Sequence, residues 1–257
     1  MPEPSSHPIA AQDPWLRPEL VVPWWKIVNV MLVMLGIGIV SGALYGTKHS
    51  SGDFYKMIGD YFFIRDGFLE SLFLSLFLLY LRWRGWKPSD FRIHLGWWTS
   101  LCGIGLFLFT LASVYVLVDA AFYLAYLFRD DFLGPLILIF LPTHGVPPGT
   151  VIYLQWVTIL GFTFLNAFYE ELAYMGYAFN QWAQKFGAFH AFLFTFALRM
   201  GVHIYQGSEH ILQIGIWSII FGLWYWRQGK LWPLILAHAL IDLNSLGHLK
   251  VSFEPGS

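Results

Sequence analysis

Residues 93–118 read IHLGWWTSLCGIGLFLFTLASVYVLV, a run of 26 residues without one formal charge. At about 1.5 Å per residue, a helix of this length exceeds the hydrocarbon core of a bilayer, roughly 30 Å thick. The apolar character continues past Asp119 to Phe128, so the run is expected to form one long membrane span. On its N-terminal side Arg82, Arg84, Lys87 and Arg92 form a short basic stretch. Such stretches are retained on the cytoplasmic face.

The composition of the whole chain agrees. Its 257 residues are 57% hydrophobic, 19% aromatic and 12% charged, against roughly 25% charged in a soluble domain. Disorder, coiled coil and most soluble folds are excluded. A net charge of -1 provides no field to draw in nucleic acid. The single cysteine, Cys102, can form neither an internal disulfide nor a thiolate zinc cluster.

Outward from the long run, further spans are expected at Ile27–Thr47, Phe62–Leu81, Thr150–Gln181, Ala188–Tyr205, Ile211–Trp226 and Leu231–Leu246, with a turn at Lys185 and Gly187. Gly38, Gly42 and Gly46 share one face of the first, a spacing that lets helices approach closely. Arg65 and Glu70, in the second, are expected near the interface or facing the bundle interior. The uncharged stretch 132–169 is broken by Pro135, Pro142, Pro147 and Pro148, and Gly134–Leu141 is read as a short re-entrant or interfacial piece. Trp24, Trp25, Trp97, Trp98, Trp224, Tyr225, Trp226 and Trp232, at span ends, read as interface anchors.

The expected fold is therefore an all-α, polytopic membrane helix bundle of seven or eight spans. Residues 1–25 form an extended cytoplasmic tail, 26–149 the N-terminal membrane helices, 150–248 a catalytic membrane core and 249–257 a short C-terminal tail. With seven spans and the N-terminus inside, nine basic residues (Arg17, Lys26, Arg82, Arg84, Lys87, Arg92, Lys185, Arg227, Lys230) lie in cytoplasmic segments. Four, Lys48, Lys56, Arg129 and Lys250, lie outside. An eighth span in the proline-rich region reverses everything after it.

Three spans carry ionisable groups whose burial needs a purpose. Placing a carboxylate inside a span costs about 2.5–3.5 kcal/mol, yet Glu170 and Glu171 are adjacent in FLNAFYEELAYMGYAF, 164–179. Consecutive helical residues point about 100° apart, so the two have different jobs. Arg199 and His203 lie four apart in LRMGVHIYQG, as do His238 and Asp242 in LWPLILAHALIDL, so each pair shares a helix face. Continuous helices place Glu170 and His203 at similar depth, whereas His238 needs a tilted helix or a sunken loop to come level. His190, His210 and His248 fall near span ends.

The chemistry open to this set is activation of water. A carboxylate in a low-dielectric cleft can take a proton from water, and a neighbouring imidazole can share it or donate it to a leaving amine. A second histidine can hydrogen-bond a developing oxyanion, with Asp242 orienting His238 or, when neutral, donating through its own proton. No serine or cysteine stands beside an obvious base, which disfavours covalent catalysis.

In these residues the chain resembles the CPBP intramembrane proteases, which include CAAX prenyl protease 2 and bacteriocin-processing and bacteriocin-immunity proteins. The family pattern is EExxxR, then FxxxH, then HxxxN or HxxxD. It corresponds here to Glu170, Glu171 and Met175, then Arg199 and His203, then His238 and Asp242, over roughly 152–246. The resemblance implies Glu170 as the water-activating base with His203, and His238 with Asp242 stabilising the oxyanion. It implies no cofactor and no catalytic metal, although two glutamates and two histidines are also zinc-ligating types. The partner it implies is a membrane-embedded or membrane-tethered protein or peptide.

Two positions depart from the pattern: Met175 stands where the family has arginine, and Arg199 where it has phenylalanine. The charge reads as relocated, with Arg199 reaching Glu171 from the adjacent helix. The competing reading is a catalytically inactive scaffold or immunity-type protein that holds a peptide in the same cavity. A proton-coupled transporter could use Glu170, Glu171 and His203 as a relay, but transporters are often built from repeats and none is evident here.

Overall fold

The computed structural model describes residues 17–46, 60–129, 131, 133–138, 154–203 and 208–253. Every regular element among them is helical: α1 (Trp24–Gly46), α2 (Asp60–Trp83), α3 (Trp97–Leu127), α4 (Leu133–Leu138), α5 (Trp156–Glu171), α6 (Asn180–Phe186), α7 (Ala188–His203), α8 (Ser208–Gln228) and α9 (Trp232–Phe253). The surroundings of Gly38, Gly42 and Gly46, and the positions of Pro142, Pro147 and Pro148, fall outside the described side chains.

Among the described residues one helix, α3, is long and apolar enough to cross a membrane on those grounds alone. Its Leu108, Phe109, Val116 and Tyr123 are exposed, as lipid-facing side chains are. The opposite face packs on α9. Gly103 makes that approach possible, because a Cβ there would lie 3.0 Å from Leu236 Cβ and 3.1 Å from the Pro233 carbonyl oxygen. α9 also packs on α5, α5 on α2, and α7 on both α8 and α1. The faces that α5, α7 and α9 turn to the interior carry the ionisable residues.

Several boundaries differ from the sequence reading. The helix expected from Thr150 begins at Trp156, and α9 runs past Leu246 to Phe253, into the stretch read as tail. Nothing before Pro255 breaks that helix. Of the aromatic residues read as interface anchors, Trp24, Trp25, Trp97 and Trp98 are exposed. Tyr225 is fully buried, and Trp224, Trp226 and Trp232 pack against the core. Trp232 Nε1 donates to Ser100 Oγ at 2.9 Å, which fixes α9 to α3.

The described part of the N-terminal stretch is not a free extended tail. Pro18–Leu20 forms a 3-10 turn, and Leu20 and Val22 are buried. Gln181 of α6 clamps this strap: its Oε1 accepts from Val22 N–H at 3.0 Å and its Nε2 donates to the Leu20 carbonyl at 2.8 Å. Arg17 donates to Asp90 at 3.1 and 2.8 Å and to the Gly85 carbonyl at 2.8 Å. Burial pushes the Asp90 carboxyl up, but hydrogen bonds from Arg17 and from Lys87 N–H outweigh it and hold the group below the usual carboxylate range. Gln181→Ala leaves a buried N–H and a buried carbonyl unmatched, at about 1–3 kcal/mol each. Its melting temperature is expected to fall by several degrees, and an unchanged thermal transition would show that the strap adds nothing.

Candidate active site

The two glutamates are the last residues of α5 before the helix changes register. Leu172–Phe179, LAYMGYAF, is π-helical, and all eight side chains are buried. A π turn widens the helix and shifts its hydrogen bonds from i+4 to i+5. Asn180 supports the altered register: its Nδ2 donates to the Gly176 carbonyl at 2.9 Å and to Tyr225 Oη at 3.0 Å. Gly176 suits the crowding, since a Cβ there would come within 3.2 Å of both Leu231 Cδ2 and Phe91 Cδ1. On the other side, the Tyr169 hydroxyl donates to the Met34 carbonyl and ties α5 to α1 just ahead of Glu170.

Glu171 is sealed from solvent and its Oε1 accepts two bonds, from Arg199 Nη2 at 2.6 Å and from His238 Nδ1 at 2.8 Å. Arg199 therefore reaches the second glutamate from α7, while Met175, in the family's arginine position, is a buried apolar residue of the π segment. Aromatic rings enclose the guanidinium, whose Cζ lies 4.7 Å from the centroid of Tyr174, 5.2 Å from Trp217 and 5.8 Å from Phe221. Their π faces replace part of the hydration that a buried cation has lost.

His203 Nδ1 lies 2.8 Å from the Arg199 carbonyl, one turn back on α7. A carbonyl only accepts, so Nδ1 carries the hydrogen and Nε2 of the neutral ring is left as a proton acceptor. His238 is engaged on both sides, because its Nε2 lies 3.4 Å from Asp242 Oδ2. Asp242 Oδ2 in turn accepts from Asn166 Nδ2 at 2.8 Å. His238 comes level with Glu171 because the loop before α9 is sunken: Leu231 is fully buried and its N–H donates to the Arg92 carbonyl at 3.4 Å.

Glu170 makes no hydrogen bond to this network among the described residues. It is 8% exposed, and its buried Oε2 has no hydrogen-bond partner among the described residues. Its charge acts on His203, His238, Arg199 and Asp242, so it stands among them. The two adjacent glutamates thus have different surroundings, one neutralised and one free.

Two residues of the cluster carried no weight in the sequence reading. Glu70 of α2 has a sealed, unpartnered Oε2 and lies within electrostatic reach of Glu170 and Asp242. Its position in the first half of the second span, with Arg65 and Asp66, did not decide between the interface and the bundle interior. Asn166 carries no charge and sent no signal of costly burial. The histidines read as peripheral do not join the site: His190 and His248 are exposed, and His190 Nδ1 donates to the Phe186 carbonyl at 2.8 Å.

The donor set does not fit a metal ion as it stands. Among the described residues no three His, Cys, Asp or Glu side chains are arranged to hold one. Glu171 Oε1 already takes two hydrogen bonds, and both nitrogens of His238 face carboxylates.

Residues 152–244 match the model of one protein family, described as type II CAAX prenyl endopeptidase Rce1-like. The match covers less than half of the chain and contains all three motifs, from Glu170 to Asp242. No curated protein and no solved structure matches the chain.

Proposed function

We propose that the chain is an intramembrane endopeptidase of the CPBP/CAAX protease type, using water activated by Glu170 and His203, a reading supported by the match of residues 152–244 to the type II CAAX prenyl endopeptidase Rce1-like model. One observation carries this reading. In an otherwise hydrogen-bonded cluster, Glu170 keeps an unpartnered carboxylate oxygen, and the adjacent His203 has Nδ1 committed to a carbonyl. The base has no competing partner, and the imidazole is held in the tautomer that leaves Nε2 able to accept a proton.

Water entering beside Glu170 gives a proton to the Glu170 carboxylate as its oxygen attacks the scissile carbonyl, and His203 Nε2 takes that proton from Glu170 and passes it to the leaving amine as the C–N bond breaks. Glu171, Arg199, His238 and Asp242 form the scaffold of this chemistry. Arg199 neutralises Glu171, and Glu171 and Asp242 hold His238 from both sides. The relocated arginine supports the catalytic reading over a peptide-holding scaffold, because the charge missing at Met175 is supplied in place. The reading includes hydrolysis without a metal, a bundle of seven or eight spans with a cytoplasmic N-terminus, and a membrane-embedded or membrane-tethered peptide as substrate.

The test is hydrolysis of a library of membrane-tethered reporter peptides by the purified chain in lipid, with and without chelator. Cleavage that survives chelation is expected. Cleavage abolished by chelation and restored by zinc overturns the metal-free mechanism. A folded protein that cleaves no reporter shifts the reading to the peptide-holding scaffold.

A further inference from the structure

Hydrolysis by activated water develops negative charge on the carbonyl oxygen, and a site must present an N–H or O–H donor to it. The family resemblance casts His238 in that role, yet its Nδ1 bonds to Glu171 and its Nε2 faces Asp242 at 3.4 Å. An ionised Asp242 cannot donate. His203 has committed Nδ1 to the Arg199 carbonyl. Arg199 keeps Nε and Nη1 unpaired, but the side chain is 1% exposed beneath three rings, and the unpaired Trp217 Nε1 and Tyr174 hydroxyl are sealed as well.

Among the described residues, Asn166 meets the requirement. Asn166 is half-buried and sits four residues before Glu170 in the α-helical part of α5, so the two share a face. Its amide has two N–H groups. One is committed to Asp242 Oδ2 at 2.8 Å, a bond that fixes the plane of the amide. The other has no partner among the described residues. An amide held by a carboxylate is a preorganised neutral donor that needs no reorientation as charge develops.

We propose that Asn166 is a catalytic residue, the donor that binds the carbonyl oxygen of the scissile bond, and that Asp242 serves to hold it in place. This rests on the hydrolytic reading above. It assigns α5 both halves of the reaction: Glu170 takes the proton from water, and Asn166, one turn away, receives the charge on the substrate oxygen.

The test compares four proteins on the reporter that the wild type cleaves: wild type, Asn166→Ala, Asp242→Ala and the double variant Asn166→Ala/Asp242→Ala. Thermal unfolding verifies the fold of each. Loss of one oxyanion donor lowers kcat by about 10²–10³-fold, and KM is expected to change little. A phosphinic analogue of the reporter, whose tetrahedral oxygens mimic the intermediate, is expected to lose affinity in parallel with kcat/KM.

Asn166→Ala takes from Asp242 its amide donor and can fail to fold; the double variant removes that carboxylate as well. If Asn166 only held Asp242, the double variant would be no slower than Asp242→Ala. The proposal expects it to be slower by at least about tenfold. Equal rates for those two proteins, or an Asn166→Ala enzyme with wild-type kcat, overturn the assignment of Asn166 and leave the protease reading standing. A folded wild type without activity on any reporter removes the protease reading itself.

Discussion

Arg199→Ala is expected to destabilise the protein by about 3–5 kcal/mol and abolish its activity, because it takes the guanidinium from a Glu171 carboxylate sealed from water and leaves it only the bond from His238. Thermal unfolding in a defined bilayer or detergent reads the first effect and reporter cleavage the second. Arg199→Lys is expected to recover little. A compact ammonium cannot both bond to Glu171 Oε1 and lie as a plane among Tyr174, Trp217 and Phe221. Arg199→Ala combined with Met175→Arg is expected to regain stability and part of the activity, since it returns a cation four residues from Glu171 on its own helix. If the double change recovers neither, the relocated-charge account is wrong.

Glu170 and Glu171 are adjacent, yet their isosteric variants are expected to behave oppositely. Glu170→Gln should lower kcat by about 10²–10⁴-fold, the usual worth of a general base, with no loss of melting temperature. Its Oε2 has no hydrogen bond to lose, and a neutral amide is cheaper to bury than a carboxylate. Glu171→Gln should unfold at lower temperature, because it replaces the anionic acceptor of a charged guanidinium and an imidazole N–H by an amide. Paired kcat and unfolding measurements on the two variants decide the matter. A Glu170→Gln protein that retains wild-type turnover would falsify its role as base.

Helix α3 was legible because an uncharged run longer than a bilayer is thick has few alternatives, and the motifs because i,i+4 spacing puts Arg199 with His203 and His238 with Asp242 on single faces. The π register of Leu172–Phe179 was not legible. It depends on Asn180, Tyr225, Leu231 and Phe91, which come from four parts of the chain. Asn166 was missed because a neutral amide is cheap enough to bury that its presence in a span raises no question. Glu70 was noticed, but a carboxylate that shares its span with Arg65 and Asp66 does not say which way it faces. Tyr225 was misread because an aromatic residue at a helix end serves an interface and a core equally well. Its burial is decided by Asn180, 45 residues earlier in the chain.

The Gln181 clamp also orders events during synthesis. Leu20 and Val22 leave the ribosome long before their partner, which follows 161 and 159 residues later. Until Gln181 is translated, the carbonyl of Leu20 and the N–H of Val22 have no native partner, and their apolar side chains have no finished core to cover. The strap that begins the described chain therefore cannot close until the chain has been made past Gln181, although its own residues are among the first of the described ones to emerge.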